Sequence, residues 1–223
     1  MNRYLMAAIG LLATTQVGAQ EALLASDAQK SSYAIGLTTA QSIARQGVKL
    51  ELDSFMLGFK DALEGTKPRL TQEQFQAALD NASKSVNENF KEQAQRNLKA
   101  GREFMAENKK REGVTELSNG IQYKELRKGA GKHPKATDNV KVHYTGVLVD
   151  GTEFDSSRAR GEPVSFGLGS VIRGWQEVLP LMTVGSRWQV VIPPALGYGA
   201  KGAGPIGPNE TLIFEIELLD IAQ

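Results

Sequence analysis

The chain has 223 residues, enough for one or two globular domains, of which 41% are hydrophobic and 23% charged. A formal net charge of +1 makes no field that would gather nucleic acid or anionic lipid, so both are disfavoured as main partners. The absence of cysteine excludes disulfides, thiolate catalysis and cysteine-ligated zinc, and is compatible with an oxidising compartment.

The first residues have the plan of a secretory signal peptide. Arg3 supplies a positive start, Leu5 to Ala13 (LMAAIGLLA) is a short apolar run, and Val17-Gly18-Ala19 offers small residues for cleavage near Ala19. The run is too short to span a bilayer, and no cysteine follows it to carry a lipid anchor. The alternative is a buried N-terminal core helix. The mature chain is expected to begin at Gln20 and to be exported to the periplasm or the cell surface. From Ser26 the pattern turns helical. Ser26 and Gln29 can form a capping box, and Tyr33, Leu37, Ala40 and Ala44 share a face before Gly47 stops the helix. Asp53 is an N-cap candidate for a second helix with Phe55, Met56, Phe59 and Leu63 on its apolar face, ended by Gly65. Two short helices bury too little surface to stand alone. They must pack on the rest of their own chain or on a second subunit.

Thr71 with Gln74 marks the longest element, predicted from Gln72 to about Glu112, with no proline before Pro134. Its apolar positions are Phe75, Leu79, Ala82, Val86, Phe90, Ala94, Leu98 and Met105, and beyond Phe90 the stripe fades into polar residues. A helix polar on nearly every side bridges domains. The first half is expected to be anchored among the helices and the second to be a solvated stalk. The apolar spacing is too sparse for the heptads of a coiled coil.

Beyond Gly113, Leu117 to Arg127 reads as a strand, and Lys128 to Asp138 as a loop. Gly129-Ala130-Gly131-Lys132 lacks the spacing and following helix of a phosphate loop. His133 and His143 have no ligand-spaced partner and are expected to be solvated, so no metal site and no cofactor are predicted. Asn81-Ala82-Ser83 and Asn209-Glu210-Thr211 match the glycosylation acceptor pattern, which is too short and common to carry weight. The centre of the chain is Val140 to Pro180. Val140, Val142 and Tyr144 alternate with Lys141, His143 and Thr145, the period of a half-buried strand. Asp150-Gly151 is a hairpin signal. A polar loop, a third strand and a short helix at Trp175 follow. Arg187 to Ile192 is another strand, stopped by Pro193-Pro194. After a glycine-rich loop from Gly197, Leu212, Phe214, Ile216 and Leu218 alternate along a closing strand from Thr211 to Ile221. An antiparallel sheet wrapped on one short helix makes this half an α+β domain.

The segments VHYTG (142–146), DGTEFDSS (150–157), VIRGW (171–175), GYG (197–199) and TLIFEIELL (211–219) together resemble the FKBP-type peptidyl-prolyl cis/trans isomerases, in the family's order and over Leu117 to the C-terminus. The N-terminal half resembles the helical dimerisation arm of the family's macrophage infectivity potentiator (Mip) and FkpA/FklB-like branch. The resemblance implies four segments: signal peptide (1–19), helical dimerisation domain (20–70), long linking helix (71–113) and isomerase domain (114–223).

The chemistry it implies can be argued physically. Rotation about a peptide bond faces a barrier of about 18–20 kcal/mol because amide resonance is lost, and X–Pro is the bond with an appreciable cis population. The half-rotated amide is less polar than the planar one, so a dry aromatic pocket favours it, which is catalysis by differential binding. No nucleophile, metal or general base is needed. By resemblance, Trp175 is the floor under the proline ring, and Tyr144, Phe154, Val171, Ile172 and Phe214 are walls, with Ile206 on the border. The backbone N–H of Ile172 and the hydroxyl of Tyr198 would bond the carbonyls flanking the proline. Asp155 would sit beside the twisted carbonyl, held by Tyr144 or Arg160. Phe166 and Trp188 are assigned to ordinary core, and Arg158 and Arg173 to solvent. Val164 stands where many relatives carry phenylalanine, and the loop from Lys201 to Asn209 lacks the histidine of some of them; both bear on the residue preferred before proline. Expected partners are unfolded or proline-containing polypeptides, a second copy through the N-terminal helices, and macrolide inhibitors of the rapamycin type. Two functions are compatible with these features: an exported isomerase that is also a dimeric chaperone, and a non-catalytic holdase that uses the pocket as a proline-recognising grip.

Overall fold

The computed structural model describes residues 24–45 and 47–222, so the signal peptide expected over residues 1–19 lies outside the described residues. Contacts divide the chain into two compact units that meet in sequence between Val86 and Asn87.

The first unit is helical. Helix α1 (Asp27–Arg45) opens on the expected capping box: Ser26 N–H donates to Gln29 Oε1 at 2.9 Å, and Gln29 N–H returns to Ser26 Oγ at 3.2 Å. Helix α2 (Leu52–Glu64) is capped by Glu51 rather than Asp53. The Glu51 carboxylate accepts the N–H groups of Asp53 and Ser54 at 3.3 and 2.8 Å, which satisfies two donors that Asp53, already inside the first turn, cannot reach. Hydrogen bonding to Ser54 holds the Glu51 carboxyl below its usual range. Gly65 closes α2 in the left-handed conformation at φ 65°. No residue of α2 is buried. Thr71 and Gln74 make the second reciprocal capping box, opening helix α3 (Gln72–Asn108).

In the second unit the C-terminal half of α3 is not a solvated stalk. Gln93, Ala94, Asn97, Leu98, Gly101, Phe104, Met105 and Asn108, spaced three or four apart, are buried or half-buried along one face. Asn108 Nδ2 donates to Gln122 Oε1 at 2.9 Å, and Gln122 Nε2 donates to the Met105 carbonyl at 2.9 Å and to Glu116 Oε2 at 2.7 Å. Apolar Ala94, Leu98, Phe104 and Met105 make half of this face, and amides and a glycine make the other half, so the apolar stripe alone under-reads the contact. The helix also ends at Asn108, short of Glu112, and a turn with Gly113 at φ 77° leads into the sheet.

Seven strands follow: β1 (Val114–Glu116), β2 (Gln122–Arg127), β3 (Asn139–Val147), β4 (Glu153–Ser156), β5 (Val164–Gly167), β6 (Arg187–Ile192) and β7 (Leu212–Ala222). They pair antiparallel in the order β1-β2-β6-β7-β3-β4, and β5 joins the same sheet by pairing with β3. The single strand expected over Leu117 to Arg127 is instead the turn and second arm of a hairpin. Leu117 N–H bonds the Ile121 carbonyl at 2.8 Å across Asn119-Gly120. Asn-Gly is the residue pair such a tight turn favours, and the turn outweighed the flanking strand pattern.

The helix α4 (Arg173–Val178) lies against the sheet, and the core gathers Val140, Val142, Trp175, Val178, Leu179, Val190, Ile192, Leu212, Ile216 and Leu218. The alternation read along β3 and β7 is the burial observed: Leu212, Phe214, Ile216 and Leu218 point inward, and the residues between them are half-buried. His143 is half-buried rather than solvated, because its Nδ1 lies 3.0 Å from the hydroxyl of buried Ser157. His133 is exposed. Among the described residues no helix is long and apolar enough to cross a membrane.

Candidate active site

Strand alternation brings the central residues together. On β3, Tyr144 shares its buried face with Val140 and Val142. Neighbouring β4 carries Phe154 and Asp155, and β7 contributes Phe214 from the other side. Gly146 of β3 makes this convergence possible. A Cβ there would stand 2.5 Å from the Phe154 ring and 2.8 Å from the Phe214 ring, so a side chain would displace both.

The result is a cavity of about 290 Å³ lined by Tyr144, Phe154, Asp155, Phe166, Ser170, Val171, Ile172, Trp175, Tyr198 and Phe214. Trp175, buried at the centre, meets three rings edge-on: Tyr144 at 5.2 Å, Phe214 at 5.3 Å and Phe166 at 5.8 Å between centroids. Phe154 stands edge-on to Phe214 at 5.5 Å. Such T-shaped pairs place ring edges on ring faces and hold each other's orientation. The Trp175 ring is part of the lining and offers the cavity apolar surface. Val171 and Ile172 form the lip where α4 begins. The Ile172 carbonyl accepts from Trp175 N–H at 2.9 Å, and Gln176 Nε2 donates to the Val171 carbonyl at 2.8 Å.

One polar cluster interrupts this surface. The Asp155 carboxylate accepts from the Tyr144 hydroxyl and from the Arg160 guanidinium, and Arg160 also reaches the Tyr144 hydroxyl at 3.0 Å. Burial pushes the Asp155 carboxyl up, but the hydrogen bonds from Tyr144 and Arg160 outweigh it and hold the group below its usual range. Tyr144 moves the other way, raised first by burial and then by its bond to Asp155. Tyr198 is raised by burial and by the Asp155 charge. At neutral pH the cluster is an ionised carboxylate, an arginine and two protonated phenols. No donor in it has a proton to lose near neutrality.

Of the expected site residues, Tyr144, Phe154, Asp155, Val171, Ile172, Trp175, Tyr198 and Phe214 all line this cavity. Arg160 stands outside it and touches it through Asp155 and Tyr144. Val164 is half-buried against the core, and Ile206 is buried within it. Phe166, assigned to ordinary core, is a wall of the cavity, because β5 pairs with β3 and places it over Tyr144. Ser170 was missed altogether; its place just before the VIRGW segment was the only available signal. Arg158 is exposed, as expected, and at the surface pairs with Glu217 of β7, which also holds Arg127. Trp188 is core, as expected, stacked on Tyr123 at 4.3 Å.

Comparison with known proteins defines the class. The family model for FKBP-type peptidyl-prolyl cis-trans isomerases matches residues 130–219, and the model for the domain amino-terminal to such isomerases matches residues 28–124. The chain belongs to the FKBP-type peptidyl-prolyl cis-trans isomerases. It is 39% identical over 221 residues to outer membrane protein MIP of Legionella longbeachae, covering 96% of this chain and 95% of that protein. It is 42% identical over 194 residues to an FKBP-type 22 kDa peptidyl-prolyl cis-trans isomerase of Escherichia coli, covering 86% and 94%. The crystal structure of FkpA from Escherichia coli matches with a TM-score of 0.66 at 36% identity, over 88% of this chain and 97% of that one. The enzyme is an isomerase of X–Pro peptide bonds.

Proposed function

We propose that isomerisation takes place in the cavity around Trp175, by preferential binding of the twisted X–Pro amide. The observation that carries this is the junction of an apolar aromatic basket with a single buttressed carboxylate. A planar amide would lose its hydration on entering such a basket, and the less polar twisted form loses less. Trp175 would lie under the proline ring, with Tyr144, Phe154, Phe166 and Phe214 around it. The Tyr198 hydroxyl and the Ile172 N–H would fix the carbonyls on either side. Asp155, held by Tyr144 and Arg160, would face the rotating carbonyl. Val164 and Ile206 would act behind the lining, as supports for the wall and the adjoining loop. Each tenfold acceleration requires about 1.4 kcal/mol of preference for the twisted form. A refolding or protease-coupled assay of the mature chain, beside Asp155→Ala and Tyr198→Phe, tests the assignment. Both variants should lose activity while staying folded; full activity in both would move the chemistry elsewhere.

The N-terminal helices would form a homodimer. Tyr33, Ile35, Met56, Phe59 and Leu63 are each more than half exposed, an apolar load no monomer leaves in water without reason. Two such arms would bring two pockets to one unfolded chain and support holding as well as isomerisation. Export to the periplasm or cell surface after cleavage near Ala19, and inhibition by rapamycin-type macrolides in the same pocket, complete the reading. Sedimentation of the mature chain tests the dimer directly, and a monomer at micromolar concentration would sink it.

A further inference from the structure

The loop between Tyr198 and Thr211 borders the cavity at one end, through Tyr198, and enters the core at Ile206. Its backbone is poorly self-supporting. Gly199, Gly202, Gly204 and Asn209 all adopt positive φ, and glycine-rich segments have the most conformational freedom to lose on ordering. Internally it is tied by the Ala203–Ile206 bridge and by Asn209 N–H bonding the Gly199 carbonyl at 2.9 Å. Besides the burial of Ile206 in the core, it is tied to α3. Asn97 Nδ2 donates to the Pro208 carbonyl at 2.8 Å, in a half-buried position. The side chains of Gln93 and Asn97 lie so close to Gly207 that a Cβ there would stand 2.9 Å and 3.3 Å from their amide nitrogens. At Gly101 the helix backbone comes so near the loop's end that a Cβ would stand 2.2 Å from Thr211 Oγ1. Between these contacts and the Gly199-Ala200 segment runs an open groove of about 360 Å³, lined in part by Leu98, Met105 and Pro193. The brace grips the loop's C-terminal limb, and the bond from Asn209 N–H to the Gly199 carbonyl passes it on to the limb beside Tyr198. At its far end the helix is welded to the sheet by the buried Asn108–Gln122 pair, which gives the brace a fixed base.

The geometry points to Asn97 and Gly101 as positioning residues for the isomerase, setting the loop that carries Tyr198 and Ile206 and, with it, the preference for the residue before proline. This rests on the placement of the reaction in the Trp175 cavity. Neither residue lines that cavity; Asn97 acts through Pro208 and Gly101 through Thr211.

The test is an X–Pro peptide series varied at the residue before proline, assayed with full-length wild type, Asn97→Ala, Gly101→Ala, and Gly101→Ala combined with Thr211→Ala. Melting temperature is measured in parallel. Asn97→Ala and Gly101→Ala should change the ratio of kcat/KM between best and worst peptides by about threefold or more. The double variant, freed of the clash with the Thr211 hydroxyl, should return towards wild type. A purely structural role would lower the melting temperature and scale all peptides alike. An unchanged ratio in both single variants, or a uniform loss that follows the melting temperature, overturns the assignment. Asp155→Ala and Tyr198→Phe run alongside. If they lose activity while the ratio stays fixed, only the brace fails; if they are fully active, the cavity assignment fails first.

Discussion

The two units solve the problem of apolar surface in opposite ways. In the sheet unit every inward position of β3, β6 and β7 is filled, and Val140, Val142, Val190, Ile192, Leu212, Ile216 and Leu218 are completely buried. In the helical unit, many large apolar side chains from Tyr33 to Leu79 remain 43% to 76% exposed, and α2 buries none of its residues. A strand presents alternate residues to one face and is completed by its neighbours in the same chain. A short amphipathic helix presents a stripe that two or three neighbours cannot cover. The sheet unit is finished by itself. The helical unit is finished only by another molecule, on the reading proposed above.

Four measurements would break or sharpen that contrast. The largest effect is expected for Met56→Glu combined with Leu63→Glu. Two charges on a desolvated apolar face should weaken self-association by about 4 kcal/mol, roughly a thousandfold, as seen by sedimentation equilibrium. Activity on short peptides should not change, since the variant leaves the sheet unit untouched. Next is Leu218→Ala, which opens a cavity in the completed core and should lower the stability of the sheet unit by about 2–5 kcal/mol in denaturant titration. If it also dissolved the dimer, the two units would not be independent.

A smaller effect is expected for Tyr198→Phe, which removes one hydroxyl at the cavity edge. A loss near tenfold in kcat/KM, about 1.4 kcal/mol, with unchanged melting temperature would fit a hydrogen bond made to substrate. The smallest concerns pH. Asp155 is held below its ordinary value, so its contribution to stability is present above the unfolded carboxylate pKa of about 3.9 and is lost as pH falls through the folded one. Activity should therefore stay level from pH 8 down to about pH 4 and fall only below that. An acid limb near pH 6 would point to another group.

Much of this protein is legible in its sequence. Strand alternation at Val140–Tyr144 and Leu212–Leu218 places those residues inside, because period two on a sheet is a direct record of burial. The Ser26–Gln29 and Thr71–Gln74 pairs likewise mark their helix starts, since a capping box is made within four residues. The convergence of Tyr144, Phe154, Asp155, Trp175, Tyr198 and Phe214 on one cavity followed from motif resemblance rather than from pattern.

What local pattern could not contain was decided by tertiary packing. Phe166 looks like any core aromatic until β5 lays it beside Tyr144. Arg158 is exposed as its charge suggests, but only the fold shows that its partner is Glu217 of β7. The C-terminal half of α3 reads as a polar stalk because half of its contact face is Gln93, Asn97, Gly101 and Asn108. A hydrophobic stripe announces burial because apolar surface is expelled by water wherever it lies in the chain. A face of amides and glycine is buried only if partners at the right distance satisfy it, and Pro208, Thr211 and Gln122 are brought there by the fold alone.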